Sequence, residues 1–243
     1  MSMQPPPPPG PFGNQPPPQQ QYAAPPPAYA APPGYVPYGS PGAQGAVKPS
    51  KGLSKAMIIL FALTTAATAF VAFSLFSRRG VADDVINGNG GDIDAANAMV
   101  GVAVLFQLAL LLTSAILTCL WAKRIASNAK AKGATSVSPG LAAGGWFIPI
   151  GNLFVGFDQL RKSVTGVGGK SPGLNLWQAA FVGQFIMGIF TFRGNDVNLI
   201  EPDALSTLRN QGLVALVGAV IYAAATFFAS RAAKEIDTAV GGG

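Results

Sequence analysis

The chain has 243 residues, a mean hydropathy of +0.37, only 11% charged residues and a formal net charge of +6. Soluble domains carry about 25% charged residues, so the shortage points to a membrane. Histidine is absent and Cys119 is the single cysteine, which excludes an internal disulfide framework, His/Cys zinc sites and Ser-His or Cys-His nucleophilic pairs. The basic residues flank apolar segments, a placement that fits membrane orientation rather than nucleic acid. No cofactor or metal site is expected.

Residues 1–50 hold 17 of the 21 prolines and no charged side chain before Lys48. Such a composition cannot bury a core and predicts a disordered, partly polyproline-II tail. Tyr22, Tyr29, Tyr35 and Tyr38 sit among those prolines as contacts for partner proteins. The simpler reading is a solvating spacer. A signal peptide is not expected, because no short apolar core follows a basic start.

Four uncharged apolar stretches follow, at about 56–76, 98–122, 174–192 and 212–230. Each is long enough to cross a hydrocarbon layer of about 30 Å as a helix. The expected architecture is an all-α membrane protein: four transmembrane helices in a domain over 55–230, a Pro-broken interfacial or re-entrant segment, and the disordered Pro-rich tail. Residues 231–243 form a short C-terminus.

The segment at 141–164 decides the topology. If it does not cross, Lys48, Lys51, Lys55, Lys123, Arg124, Lys130, Lys132, Arg161, Lys162, Lys170, Arg231 and Lys234 share one side. Only Arg78, Arg79, Arg193 and Arg209 fall on the other. A crossing would level this asymmetry, so positive-inside bias predicts four spans with both termini cytoplasmic. Pro149 disfavours helix at Ile148, and Gly144, Gly145 and Gly151 weaken what surrounds it. Asn152 is placed to cap a short helix in which Leu153, Phe157, Leu160 and Val164 form one apolar stripe. Asp158 and Lys162 make a favourable i, i+4 pair, with Gln159 and Arg161 on the polar face. A dip into the interface followed by an amphipathic surface helix is expected.

Several shorter signals fit this plan. SPGL occurs at Ser138 and at Ser171, each time reading as a helix start with serine as cap and proline in the first turn. Trp121, Trp146 and Trp177 fall near the cytoplasmic boundary, where indoles favour the interface. Ala215, Ala219 and Ala223 offer a small-residue face. Gln107, Gln178 and Gln184 are expected to hydrogen-bond between helices. GVGGKS at 166–171 fails the phosphate-loop pattern, because Val164 stands where glycine is required, and reads as a hinge. The loop 83–94, rich in Asp, does not follow EF-hand spacing and reads as a solvated turn.

The elements LWAKR at 120–124, SPGLAAGGWFIPIGN at 138–152 and FDQLRKS at 157–163 together resemble the bacterial membrane family known as domain of unknown function 4328. Family members show further tryptophans around this core, where this chain has Gly145 and few aromatics, so the resemblance is to a divergent member. It spans roughly 55–230 and implies a bacterial plasma-membrane protein. It implies no mechanism, since the family has no established activity.

The candidate site is Trp146, Pro149, Asn152, Asp158, Gln159 and Arg161, polar and aromatic groups gathered at the break, suited to a lipid head group or a partner. The bland alternative is that they cap and solvate a surface helix. The favoured function is a non-enzymatic scaffold whose tail recruits cytoplasmic proteins, with the lipid bilayer as its other partner. The alternative is a channel or carrier for an uncharged or lipidic solute, gated at Pro149. Catalysis on lipid through Asp158 ranks last, for want of a second convergent group.

Overall fold

The structure, a computed structural model, describes residues 45–148, 150–192 and 204–241. The expected tail up to residue 44, the expected break at Pro149, and residues 193–203 lie outside the described residues. Among the described residues the chain forms α1 (Lys51–Ile86), α2 (Ile93–Ala131), α3 (Pro139–Gly144), a 3₁₀ turn (Gly151–Leu153), α4 (Val155–Thr165), α5 (Pro172–Phe192) and α6 (Ala204–Ala239).

Local chemistry sets the helix starts. Asp92 caps α2 by accepting from the Ala95 N–H at 2.9 Å. Ser138 does the same for α3, with Pro139 in the first turn. The second SPGL behaves differently. Glu235 of α6 accepts from the Gly173 N–H and from the Ser171 hydroxyl, both at 3.0 Å, so a carboxylate from another helix serves the start of α5.

α1, α2 and α6 are long and apolar enough to cross a membrane. They run well past the apolar stretches that mark them, because their polar flanks are also good helix formers. Their packing inverts the soluble pattern. Phe73, Leu105, Leu112 and Phe227 face outward, whereas Thr64, Thr68, Ser74, Ser114 and Thr118 are buried. Thr64, Thr68, Ser74 and Thr118 each donate to the carbonyl four residues back, at 2.7–2.9 Å. An apolar exterior of this kind suits lipid rather than water, and such back-bonding lets hydroxyls sit inside at little cost.

α1 lies between α2 and α6, and α5 packs on the other side of α6. One end of the bundle is tied together by Asp237 of α6. Its carboxylate accepts from Ser50 Oγ at 2.6 Å, Ser54 Oγ at 2.5 Å and Trp121 Nε1 at 3.3 Å. Asn128 pairs with both the N–H and the carbonyl of Lys48, at 2.9 and 2.7 Å, and Arg124 reaches the Pro49 carbonyl. The start of α1, the end of α2, the start of α5 and the end of α6 therefore share this end. The stretch between α2 and α5 returns to the end it left.

The small-residue face on α6 is only partly as expected: Ala215 and Ala219 are buried, but Ala223 is exposed. Ala225, Ala229, Ala232 and Ala233 extend the packed face toward Asp237.

Candidate functional site

The site is built on the return segment. After α3, Gly145 lies so close to Val155 that an added Cβ would sit 2.7 Å from its side chain. The chain then exposes Phe147, Ile148, Ile150 and Phe154, a run of apolar side chains with no protein cover. Ile150 has φ +62°, the left-handed region, which a β-branched residue adopts only under strain. The 3₁₀ turn follows, closed by the Leu153 N–H donating to the Ile150 carbonyl and the Phe154 N–H donating to the Gly151 carbonyl, both at 3.0 Å.

The expected stripe is buried, with Phe157, Leu160 and Val164 on α4 and Leu153 in the 3₁₀ turn before it rather than on the helix itself. The expected Asp158–Lys162 pair forms at 2.6 Å on its half-exposed face. Gly156 lets the Trp146 indole lie flat on the helix, since a Cβ there would be 2.5 Å from Trp146 Cε2. The indole is held in an aromatic cluster, with ring centroids 5.0 Å from Phe157, 5.8 Å from Phe181 and 6.0 Å from Trp177.

The six sequence-derived site residues separate. Trp146 and Asn152 line one cavity together. Gln159 is buried and accepts from the Ser138 N–H at 2.9 Å, fastening α3 to α4. Arg161 donates to Asn175 Oδ1 at 2.9 Å and Gln178 Oε1 at 3.0 Å, tying α4 to α5. Asp158 serves the surface pair with Lys162. Pro149 lies outside the described residues.

Two expectations need correction. Asn152 does not cap α4: the helix starts at Val155, after Phe154, with no side-chain cap. The reversal at Ile150 turns the Asn152 carboxamide inward instead. Nor do the tryptophans form an interfacial belt. Trp121, Trp146 and Trp177 are all buried, because their rings pack on one another and on Phe61 and Phe157.

The cavity of about 310 Å³ lies between α1, α2, α5 and α6. Its walls are Phe61, Leu108, Leu111, Leu112, Ala115, Trp177, Phe181 and Ala225, with Thr64, Ser114, Thr118, Gln184, Tyr222 and Thr226 interspersed. A second cavity of about 300 Å³ shares Leu108, Leu111 and Tyr222 and continues toward Gln107 and Gln211. Sequence reasoning missed the hydroxyl lining. Its signal is present, since Thr64/Thr68, Ser114/Thr118 and Tyr222/Thr226 are each i, i+4 pairs and so share a helix face. Gln107 donates to Thr68 Oγ1 at 2.8 Å and Gln178 to the Leu153 carbonyl at 2.8 Å, as expected for buried glutamines.

At the end of the cavity nearest α3 and α4, Trp146 Nε1 and Asn152 Oδ1 are both buried without a hydrogen-bond partner among the described residues. Trp146 is only 9% exposed. A buried group left unsatisfied costs about 1–3 kcal/mol, and Trp146 and Asn152, which line one cavity, each carry one.

Residues 86–238 match the model of a family described as a domain of unknown function, DUF4328. The chain belongs to this family. The DUF4328 match opens on the last residue of α1 and runs to the last turns of α6, so its start lies later than the 55 expected from the resemblance. Trp121, Trp146, Asn152, Trp177 and Asp237 fall inside the DUF4328 region, whereas the α1 wall of the cavity, with Phe61 and Thr64, falls outside it. No curated protein and no solved structure matches the chain.

Proposed function

We propose that this DUF4328 protein is a multi-pass membrane protein that binds an uncharged, largely apolar molecule in the cavity between its helices, as a carrier or receptor rather than an enzyme. The observation that carries this reading is the pair of unsatisfied polar atoms, Trp146 Nε1 and Asn152 Oδ1, on two residues that line a cavity with no charged side chain among its described lining residues. Ligand pockets are concave and mostly apolar, with a few polar groups that set orientation, and their volumes start at about 300 Å³. To test it, the full chain is purified from native membranes and its bound small molecules are extracted. The wild type should release a neutral apolar compound that Ala115→Phe, which fills the cavity from α2, does not. Equal extracts from both would contradict the reading.

The proposed setting is a bacterial plasma membrane with four spans, α5 being the fourth, and both termini in the cytoplasm. Support comes from the charge asymmetry and from the return of the chain to one end of the bundle between α2 and α5. Phe147, Ile148, Ile150 and Phe154, exposed on the return segment, then dip into the near leaflet. Single cysteines at Asn89, Lys132 and Lys170 in a Cys119→Ala background test this. Labelling from outside should reach Asn89 alone; labelling of Lys170 from outside would sink the topology.

A scaffold role for the Pro-rich tail is a second proposal, and one observation favours it. Asn128, Arg124 and Asp237 hold the backbone at Lys48 and Pro49 and the side chain of Ser50, the residues that follow the Pro-rich stretch in sequence. Cytoplasmic proteins captured by the full chain and lost on deletion of residues 1–44 would support it; an unchanged set would not.

A further inference from the structure

We infer that the ligand is a single-chain lipid with a neutral hydroxyl head, such as a long-chain alcohol or monoacylglycerol, seated head-first at Trp146 and Asn152 and admitted sideways between α2 and α5; this rests on the binding reading above. Three observations lead here.

Trp146 and Asn152 line the same cavity, and one carries a donor, Nε1–H, and the other an acceptor, Oδ1, neither with a partner among the described residues. A hydroxyl group has the complement of each, a lone pair for the indole N–H and a proton for the carboxamide oxygen. An alkane answers neither. A carboxylate or phosphate brings a charge, and among the described residues the cavity lining contains no Lys or Arg to pair with it.

The rest of the wall is mostly apolar, with Leu108, Leu111, Leu112 and Phe181 set among the hydroxyls already described. A volume of about 310 Å³ is at the small end for a ligand pocket, enough for one chain rather than two. The adjoining cavity shares Leu108, Leu111 and Tyr222 with this one and includes Gln211, whose amide is also without a partner among the described residues.

Access follows from the helix order. α1 packs on α2 and α6, and α6 on α5, whereas α2 and α5, which both line the cavity, meet through the Trp121 and Trp177 rings and are otherwise the looser pair among the described residues. At the Trp146 end the gap is plugged by α3, the 3₁₀ turn and α4, which contact α2 and α5. Leu112 both lines the cavity and is exposed on the apolar outer surface of α2, where Leu105 is exposed too, so the cavity wall reaches that surface. A lipid therefore reaches the site from the bilayer, with its head arriving at the level of the interface.

The test uses the full chain in phosphatidylcholine nanodiscs and three diazirine-bearing probes of equal chain length: an alcohol, an alkane and a fatty acid. Cross-links are mapped by peptide mass spectrometry. The alcohol should label cavity-facing peptides of α2 and α5 about tenfold more than the alkane or the acid, a ratio typical of satisfying one buried polar group. Trp146→Phe and Asn152→Leu should each bring the alcohol down to the alkane level, and either variant suffices if the other fails to fold. Equal labelling by all three probes, or alcohol labelling untouched by the variants, would overturn the head-group assignment and leave the binding reading standing. Preferential labelling by the acid would overturn it too. No cavity labelling by any probe would mean that water alone satisfies Trp146 and Asn152, and both readings would fall.

Discussion

Trp121 and Trp146 lie at the same end of the bundle and are alike in almost every respect but one. Both are buried, and their rings pack against Trp177 at 6.2 and 6.0 Å. The Trp121 N–H donates to Asp237, whose other partners are Ser50 and Ser54, so every polar group in that cluster has an answer. The Trp146 N–H has none among the described residues, nor has the Asn152 carboxamide oxygen beside the same cavity. The difference separates architecture from function. A satisfied buried network holds helices in register, whereas an unsatisfied one is a cost that only a guest removes.

The comparison makes opposite predictions for the two regions. Asp237→Ala should have the largest effect. It strands the Trp121 indole and the Ser50 hydroxyl inside the bundle and leaves Ser54 only the Lys51 carbonyl, and should lower stability by about 3 kcal/mol, read as a fall in the thermal midpoint of the detergent-solubilised protein. An unchanged midpoint would mean that the cluster holds nothing together. Gly156→Ala comes next. The added methyl meets the rigid indole of Trp146, and the overpacking should cost about 1–3 kcal/mol while displacing the ring from Phe157. Loss of stability without any change in tryptophan emission would argue against that cause.

Asn152→Leu should move the other way. Replacing an unsatisfied buried amide by an apolar side chain of similar size should leave stability unchanged or raise it by up to about 1 kcal/mol, while ligand retention is lost. A clear destabilisation would show that Asn152 has a structural partner and would erase the contrast with Asp237. Ile150→Gly should have the smallest effect, a gain of at most about 1 kcal/mol as the left-handed backbone at φ +62° becomes unstrained. A loss would indicate that the exposed isoleucine contributes more through the lipid it touches.

Much of the fold was legible because its signals are local. The α4 stripe and the Asp158–Lys162 pair follow from helical periodicity, and the start of α3 from Ser138 and Pro139. The return of the segment at 141–164 to its starting end agrees with the charge bias on its flanks. The site was only half legible. Gln159 and Arg161 read as solvated because their partners, Ser138, Asn175 and Gln178, are 14 to 21 residues away and on other elements. The tryptophans read as an interfacial belt because composition places an indole near a boundary but cannot say whether it faces lipid or its neighbours. Asn152 read as a cap because the reversal at Ile150 that turns it inward is a tertiary effect. Trp146 and Asn152 were singled out together, but the cavity between them and the hydroxyl-bearing faces of α1, α2 and α6 required the helices to be assembled.

The most direct test of this account compares the two indoles in one spectrum. Full-length protein labelled with ¹⁵N-tryptophan in nanodiscs gives indole N–H signals that Trp121→Phe and Trp146→Phe assign. On titration with monooleoylglycerol, the Trp146 signal should shift downfield as its N–H gains an acceptor, and the Trp121 signal, already bonded to Asp237, should stay in place. A Trp146 signal that does not move, or a Trp121 signal that moves as far, would contradict the division between a closed clasp and an open site.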